Sequence, residues 1–168
     1  NKLGNKEIDN ISKIIGKIGV NNHIGFINKL ITKEQDQNIL LSLKEFLNLI
    51  EKKNIKITDA NIEGLIEWLL NTPKLEEEII NKNVGTCIGL IIKLDKELLN
   101  KYINLLKENT GNKKSSLLYS AKEIFKSKLI IPKSTLKLLY EQITEEMKSP
   151  ERLIKEHSLQ ALSYLQYN

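Results

Sequence analysis

Apolar residues return along this chain at three- and four-residue intervals, and nowhere do they sustain a two-residue alternation; that spacing specifies helices and gives no strand. Residues 35–52 show it most clearly, with Ile39, Leu40, Leu43, Phe46, Leu47 and Ile50 on one helical face. Three prolines in 168 residues leave the pattern nearly uninterrupted. The same periodicity predicts a helix over 7–20 (Ile8, Ile11, Ile14, Ile15, Ile18) and one over 23–32 (Ile24, Ile27, Leu30, Ile31), with Asn21 and Asn22 turning the chain between them. Thr58-Asp59 reads as a cap for a helix over 60–70 (Ile62, Leu65, Ile66, Leu69), and Thr72-Pro73 ends it. Asp95 reads as the cap of a helix over 96–107 (Leu98, Leu99, Ile103, Leu106), and Thr110-Gly111-Asn112 as a turn. Helices follow over 113–126 (Leu117, Leu118, Ala121, Ile124, Phe125), from Pro132 to 148 (Leu136, Leu139, Ile143, Met147), and from Ser149-Pro150 to about 166.

These helices recur in pairs. The starts Asn22, Thr58, Asp95 and Pro132 are spaced by 36, 37 and 37 residues, a period at which two-helix units stack into solenoids. Ser42-Leu43-Lys44-Glu45-Phe46 is echoed by Ser120-Ala121-Lys122-Glu123-Ile124, and more faintly by Ser158-Leu159-Gln160-Ala161-Leu162. The repeated serine, with Ala121 and Ala161 beside it, is expected where the two helices of a pair approach closely. The expected fold is therefore all-α, an α-α superhelix of HEAT-like helical hairpins with about four pairs and one leading helix. It forms a single array over 1–168, with units at 1–20 (partial), 22–53, 57–94, 95–128 and 132–167. A plain antiparallel helix bundle is the competing architecture. Tetratricopeptide repeats share the period, but their Trp/Gly/Tyr pattern is missing and Trp68 stands alone.

The stretch 75–94 is expected to be the second helix of the middle unit. Glu76, Glu77 and Glu78 open it, as the positive end of a helix dipole favours. Ile79, Ile80, Val84, Cys87 and Ile91 are assigned to its inward face; Lys82, Gly85, Gly89 and Lys93 lie on its other sides. Two glycines four residues apart make a surface on which a neighbouring helix can sit close.

No constellation for chemistry is visible. His23, His157 and Cys87 are too far apart to match a zinc spacing. Three adjacent glutamates do not share a helical face, and the glycines at 16/19 and 85/89 lie inside helices with no strand before them. Cys87 is expected to be a buried inert thiol and His157 a satisfied core or interface histidine. No catalytic residue, cofactor or metal site is expected, and no enzyme activity. The net charge is +5, but the 21 acidic residues interleave with 26 basic ones, of which Arg152 is the one arginine. Direct nucleic-acid binding is disfavoured on that pattern. A single cysteine excludes an internal disulfide and fits a reducing compartment, here expected to be cytoplasmic and nuclear. No apolar run has the length of a membrane span, no membrane association is expected, and no signal peptide is visible. A helical pattern starting almost at Asn1, with no Met before it, reads as a piece of a longer chain.

Asn83-Val84-Gly85-Thr86-Cys87-Ile88-Gly89-Leu90-Ile91, followed by Leu94-Asp95-Lys96-Glu97-Leu98-Leu99, resembles a segment of the cullin-associated, neddylation-dissociated proteins, also known as TATA-binding-protein-interacting proteins. There the stretch reads much like Asn-Val-Val-Ala-Glu-Cys-Leu-Gly-Lys-Leu, then Ile-Asp-Pro-Glu. Upstream, Leu40-Leu41-Ser42-Leu43-Lys44-Glu45 resembles the family's Leu-His-Ser-Leu-Lys-Glu, and Gly16-Lys17-Ile18-Gly19-Val20 followed by Phe26-Ile27 resembles a Gly-Ser-Ile-Ser-Val…Tyr-Leu segment. Downstream, Ser115-Ser116-Leu117-Leu118-Tyr119-Ser120-Ala121-Lys122 resembles Ser-Ser-Val-Val-Thr-Ala-Val-Lys. The likeness covers essentially the whole chain in collinear order. It departs at Lys96, where the family has proline, and at positions where family arginines are lysine or asparagine.

The resemblance implies part of a long HEAT-repeat solenoid, just past its middle toward the C-terminal side. It also implies a non-enzymatic regulator that wraps an unmodified cullin–RING ubiquitin-ligase scaffold and promotes exchange of substrate adaptors. Partner contacts are then expected on the second helix of each pair, with Lys44, Lys82 and Lys122 flanking the inward stripes of successive second helices. Another HEAT scaffold, of the nuclear-transport-receptor or phosphatase-scaffold type, is the alternative; binding of TATA-binding protein is a third possibility.

Overall fold

The computed structural model describes residues 13, 22–57, 60–127 and 129–165, and every regular element among them is a helix. The helix expected over 7–20 lies outside the described residues apart from Lys13, as do Thr58-Asp59 and the end of the last helix. The chain divides into two compact units, Asn1–Pro73 and Lys74–Asn168. That division falls inside the unit expected over 57–94.

The first unit holds α1 (His23–Leu30), α2 (Gln37–Lys52) and α3 (Ile62–Leu70). Each begins on a short polar side chain that accepts a bond from an otherwise unpaired backbone N–H. Asn22 accepts from Gly25 at 3.2 Å, Asp36 from Ile39 at 2.8 Å and Asn61 from Gly64 at 2.9 Å. Asn22 is thus a cap as well as a turn residue, and α3 starts from Asn61, two residues beyond the expected Thr58-Asp59 signal. The predicted apolar stripe of α2 is buried at Leu40, Leu43, Phe46, Leu47 and Ile50, with Phe46 4.6 Å from the Phe26 ring of α1. After Lys53 the chain turns through Asn54 at φ 56°, and the Ile55 N–H closes onto Ile50 O at 3.0 Å. Asparagine here supplies the left-handed residue that glycine usually provides at a helix end. Trp68 secures the segment between α1 and α2: its indole N–H donates to Lys33 O (2.9 Å), while Gln35 donates to Trp68 O (2.6 Å).

The second unit holds α4 (Glu78–Ile92), α5 (Leu98–Glu108), α6 (Gly111–Tyr119), α7 (Ala121–Lys126), α8 (Lys133–Glu146) and α9 (Arg152–Leu165). Ser120 joins α6 to α7 with helical backbone angles, and its N–H is shared between Ser116 O and Leu117 O, so the two make one bent rod. That rod packs against both α4 and α9; α5 packs on α6 and α8, and α8 packs on α9. Its core is Val84, Cys87, Ile88, Ile91, Tyr102, Leu106, Leu117, Leu118, Ile124, Leu139, Ile143, Ile154 and Ala161. Tyr102, absent from the expected core, is fully buried and donates its hydroxyl to Leu117 O at 2.6 Å. Desolvation raises its pKa above the usual phenol value, which keeps it neutral.

The α4–α6 seam is where small residues matter. A Cβ at Gly85 would stand 2.5 Å from Ser116 O, and one at Gly89 would stand 2.6 Å from Ser120 O. Ser116 donates to Asn81 O and Ser120 to Gly85 O, both at 2.8 Å, so each serine hydroxyl is satisfied across the seam. Asn81, fully buried, directs its amide N–H groups at Leu75 O (2.9 Å), Asn112 O (3.0 Å) and Ser115 Oγ (2.9 Å). The glycines thus form the close-packing surface the sequence suggested. Ser120, however, bonds the second helix of the preceding expected unit and not the first helix of its own. Ser42 and Ser158 bond only backbone one turn back in their own helices, to Asn38 O and Ile154 O.

Four further expectations are corrected. Ile79 is 60% exposed, because the close face of α4 belongs to the glycines, and a side chain six residues before Gly85 points away from it. Glu76 and Glu77 precede α4, leaving Glu78 in its first turn. Asp95 accepts from the Glu97 N–H at 3.0 Å in the turn ahead of α5, which itself has no side-chain cap, and Gly111 at φ 61° already belongs to α6.

Candidate partner-binding surface

Of the three lysines the sequence nominated, Lys44 is exposed on α2 in the first unit, while Lys82 and Lys122 come together in the second. Both ammonium groups stand over the ring of Tyr119, at 5.8 and 6.0 Å from its centroid. Lys82 reaches it from α4 and Lys122 from α7, because α4 packs against the α6–α7 rod that carries the tyrosine. Lys122 is three residues past Tyr119 and so shares its helical face. A third lysine, Lys126, stands 5.0 Å over the ring of Tyr164 on α9.

Beside Tyr119 lies His157 of α9, with ring centroids 5.0 Å apart. His157 is 3% exposed. Its Nδ1 is 2.8 Å from Ser115 O, an acceptor with no proton to give, so Nδ1 carries the hydrogen and Nε2 presents a lone pair. Burial pushes the imidazole pKa down, and nearby Lys82 adds to the depression, so the neutral form is favoured despite the opposing Ser115 bond and the Glu156 and Glu78 carboxylates. Nε2 is buried and has no hydrogen-bond partner. The expected satisfied histidine is therefore satisfied on one side only.

A cavity of about 360 Å³ opens between α4 and α9, lined by Lys82, Glu156, His157, Leu159, Gln160 and Ser163. Ion pairs frame it. Lys82 meets Glu78 at 3.1 Å; Arg152 reaches Glu156 at 3.1 Å and Glu78 at 3.5 Å. The hydrogen bond from Lys82 holds the Glu78 carboxyl below the usual range, with Arg152 contributing. Leu159, on the cavity wall, is 59% exposed. A larger cavity, about 680 Å³, lies at the start of α5 beside Leu129, Ile130 and Pro132 and contains none of the nominated residues.

Sequence reasoning missed Tyr119 and gave His157 only a satisfied core or interface place. Tyr119 could have been found from its three-residue offset to Lys122. The pairing of His157 with Tyr119 joins separate helices and has no local signal. Cys87 is 1% exposed inside α4. Among the described residues no group of three or more His, Cys, Asp or Glu could hold a metal ion, and no helix is long and apolar enough to cross a membrane. No known protein family, curated protein or solved structure matches the chain.

Proposed function

We propose that this chain is part of a HEAT-type solenoid acting as a non-enzymatic protein-binding scaffold. On this reading it belongs to a regulator that binds unmodified cullin–RING ubiquitin ligases and promotes exchange of their substrate adaptors. The observation that carries the scaffold reading is the packing of the second unit. Helices α4, α6–α7 and α9, the second helices of successive expected units, pack against one another in series. Two of them bring Lys82 and Lys122 to the ring of Tyr119. In a solenoid, stacked second helices line the extended surface that receives partners. The 36–37-residue recurrence and the collinear resemblance along the chain support the same assignment, and the resemblance alone supports the cullin partner.

The test is capture of a purified cullin–RING pair by the full-length protein. Retention of the unmodified pair, with loss of binding once the cullin carries its ubiquitin-like modifier, is the expected result. Equal retention of both forms would refute the cullin assignment. Selective retention of a Ran-type GTPase or a phosphatase subunit would favour the alternative scaffold class.

A further inference from the structure

We infer that the cavity between α4 and α9, beside the Tyr119 ring, docks an acidic peptide segment of a partner protein. This rests on the proposal that the second-helix face is the binding face, and does not depend on which protein supplies the segment.

The first support is charge. Lys122 and Lys126 take part in none of the ion pairs formed by the described residues. Their contacts are with the faces of Tyr119 and Tyr164. Lys82 shares Glu78 with Arg152, and Glu156, the one carboxylate in the cavity wall, is already held by Arg152. Tyr119 is half-buried, and a carboxylate is a stronger partner for an ammonium than a ring face, so an incoming carboxylate can draw Lys82 and Lys122 off Tyr119. Two ammonium groups from separate helices, 5.8 and 6.0 Å from one ring centroid, are close enough together for one acidic segment to meet both.

The second support is independent of charge. His157 lines the same cavity, and its Nε2 is buried just behind that wall without a donor. A buried unpaired acceptor is costly, and an arriving N–H or O–H relieves that cost. A peptide brings backbone N–H donors alongside its carboxylates. On the same wall the Gln160 amide can both donate and accept, and Ser163, whose hydroxyl donates to Gln160 O at 2.6 Å, can accept, as pairing with a peptide backbone requires. The exposed Leu159 offers apolar contact to a neighbouring side chain. A phosphodiester strand presents chiefly acceptors along its backbone and matches this wall less well.

The experiment is fluorescence anisotropy of the whole chain with a short fluorescein-labelled peptide of alternating Asp and Leu. The same peptide with Asn for Asp, and a labelled oligouridylate of equal charge, are run beside it. The Asp/Leu peptide should bind, and the Asn/Leu peptide should bind about tenfold more weakly or less. Lys82→Gln combined with Lys122→Gln should weaken binding about tenfold with the circular dichroism spectrum unchanged. Ser163→Glu, at an exposed position, should abolish it by filling the cavity mouth with like charge. Lys148→Gln, at an exposed position outside the cavity, should leave binding unchanged. The proposal is overturned if the Asp/Leu peptide fails to bind, if the double variant or Ser163→Glu binds like the original chain, if Lys148→Gln loses as much as the double variant, or if the Asn/Leu peptide or oligouridylate binds as tightly. Peptide binding without cullin capture would overturn the cullin assignment alone; cullin capture without peptide binding would overturn this inference alone.

Discussion

Gly85→Ala separates a close helix contact from simple helix propensity, because the two predict opposite signs. In an ordinary helix, alanine in place of glycine stabilises by about 0.5–1 kcal/mol. Here the new Cβ would stand 2.5 Å from Ser116 O and 2.9 Å from Tyr119 Cβ. The first contact is about 0.9 Å short of the 3.4 Å at which ordinary van der Waals contact begins. Backbone cannot yield as a side-chain tip does, so α6 must move away from α4. Overpacking of that kind costs about 1–3 kcal/mol. The same movement stretches the 2.8 Å bonds from Ser116 to Asn81 O and from Ser120 to Gly85 O, each worth about 0.5–1.5 kcal/mol. Setting the propensity gain against these losses leaves a net destabilisation of about 3 kcal/mol. At the sensitivity usual for a chain of this length, that lowers Tm by about 10 °C. Gly89→Ala should act alike, since its Cβ would meet Ser120 O at 2.6 Å. The double variant should lose less than the sum, because one displacement of α6–α7 relieves both clashes. Thermal and urea unfolding followed by circular dichroism measure this, with Asn100→Ala on the exposed side of α5 as the propensity control. A Gly85→Ala chain as stable as the original, or more so, would refute the close seam between α4 and α6.

Other outcomes follow from single side chains. Asn81→Ala strips the donor from Leu75 O, Asn112 O and Ser115 Oγ and should cost about 2–3 kcal/mol by urea unfolding. For the Lys114–Glu146 pair, at 2.7 Å with both side chains 12–14% exposed, Glu146→Gln alone should cost more than Lys114→Met combined with Glu146→Leu, because the single change strands a nearly buried ammonium. His157 is kept neutral by burial in the fold, among Ser115 O, Tyr119, Lys82, Glu156 and Glu78. The unfolded chain therefore takes up a proton below pH 6.5 that the folded chain refuses. Stability should fall as pH drops through that value, by at most about 1.4 kcal/mol per unit, until the folded pKa is passed; urea midpoints at pH 7.5, 6.5 and 5.5 should show a steeper fall for the original chain than for His157→Gln.

The helices and most of their buried faces were readable because amphipathic periodicity is local. Leu40, Leu43, Phe46, Leu47 and Ile50 needed no knowledge of what covers them. The small-residue pair Gly85 and Gly89 was readable as a close-approach surface, but not which helix would meet it, since that is set by the arrival of Ser116 and Ser120 from α6–α7. The exposure of Ile79 escapes the sequence for the same reason: periodicity gives the angle between side chains on a helix, not the direction of the neighbour. Helix starts shifted where several short polar residues compete, as Asn61 shows beside Thr58-Asp59. At the candidate surface, Lys82 and Lys122 were named from their positions beside apolar stripes. The ring that joins them, and the histidine with one unpaired nitrogen behind it, arise only when α4, α6–α7 and α9 are side by side.

The most direct test of the scaffold account is the affinity of the full-length protein for an unmodified cullin–RING pair, measured by biolayer interferometry with and without Lys82→Glu and Lys122→Glu together. The account predicts binding that the two charge reversals weaken at least about a hundredfold, with the circular dichroism spectrum unchanged. Undiminished binding by the variant would contradict the placement of the partner on this face, and no binding by the original protein would contradict the cullin assignment itself.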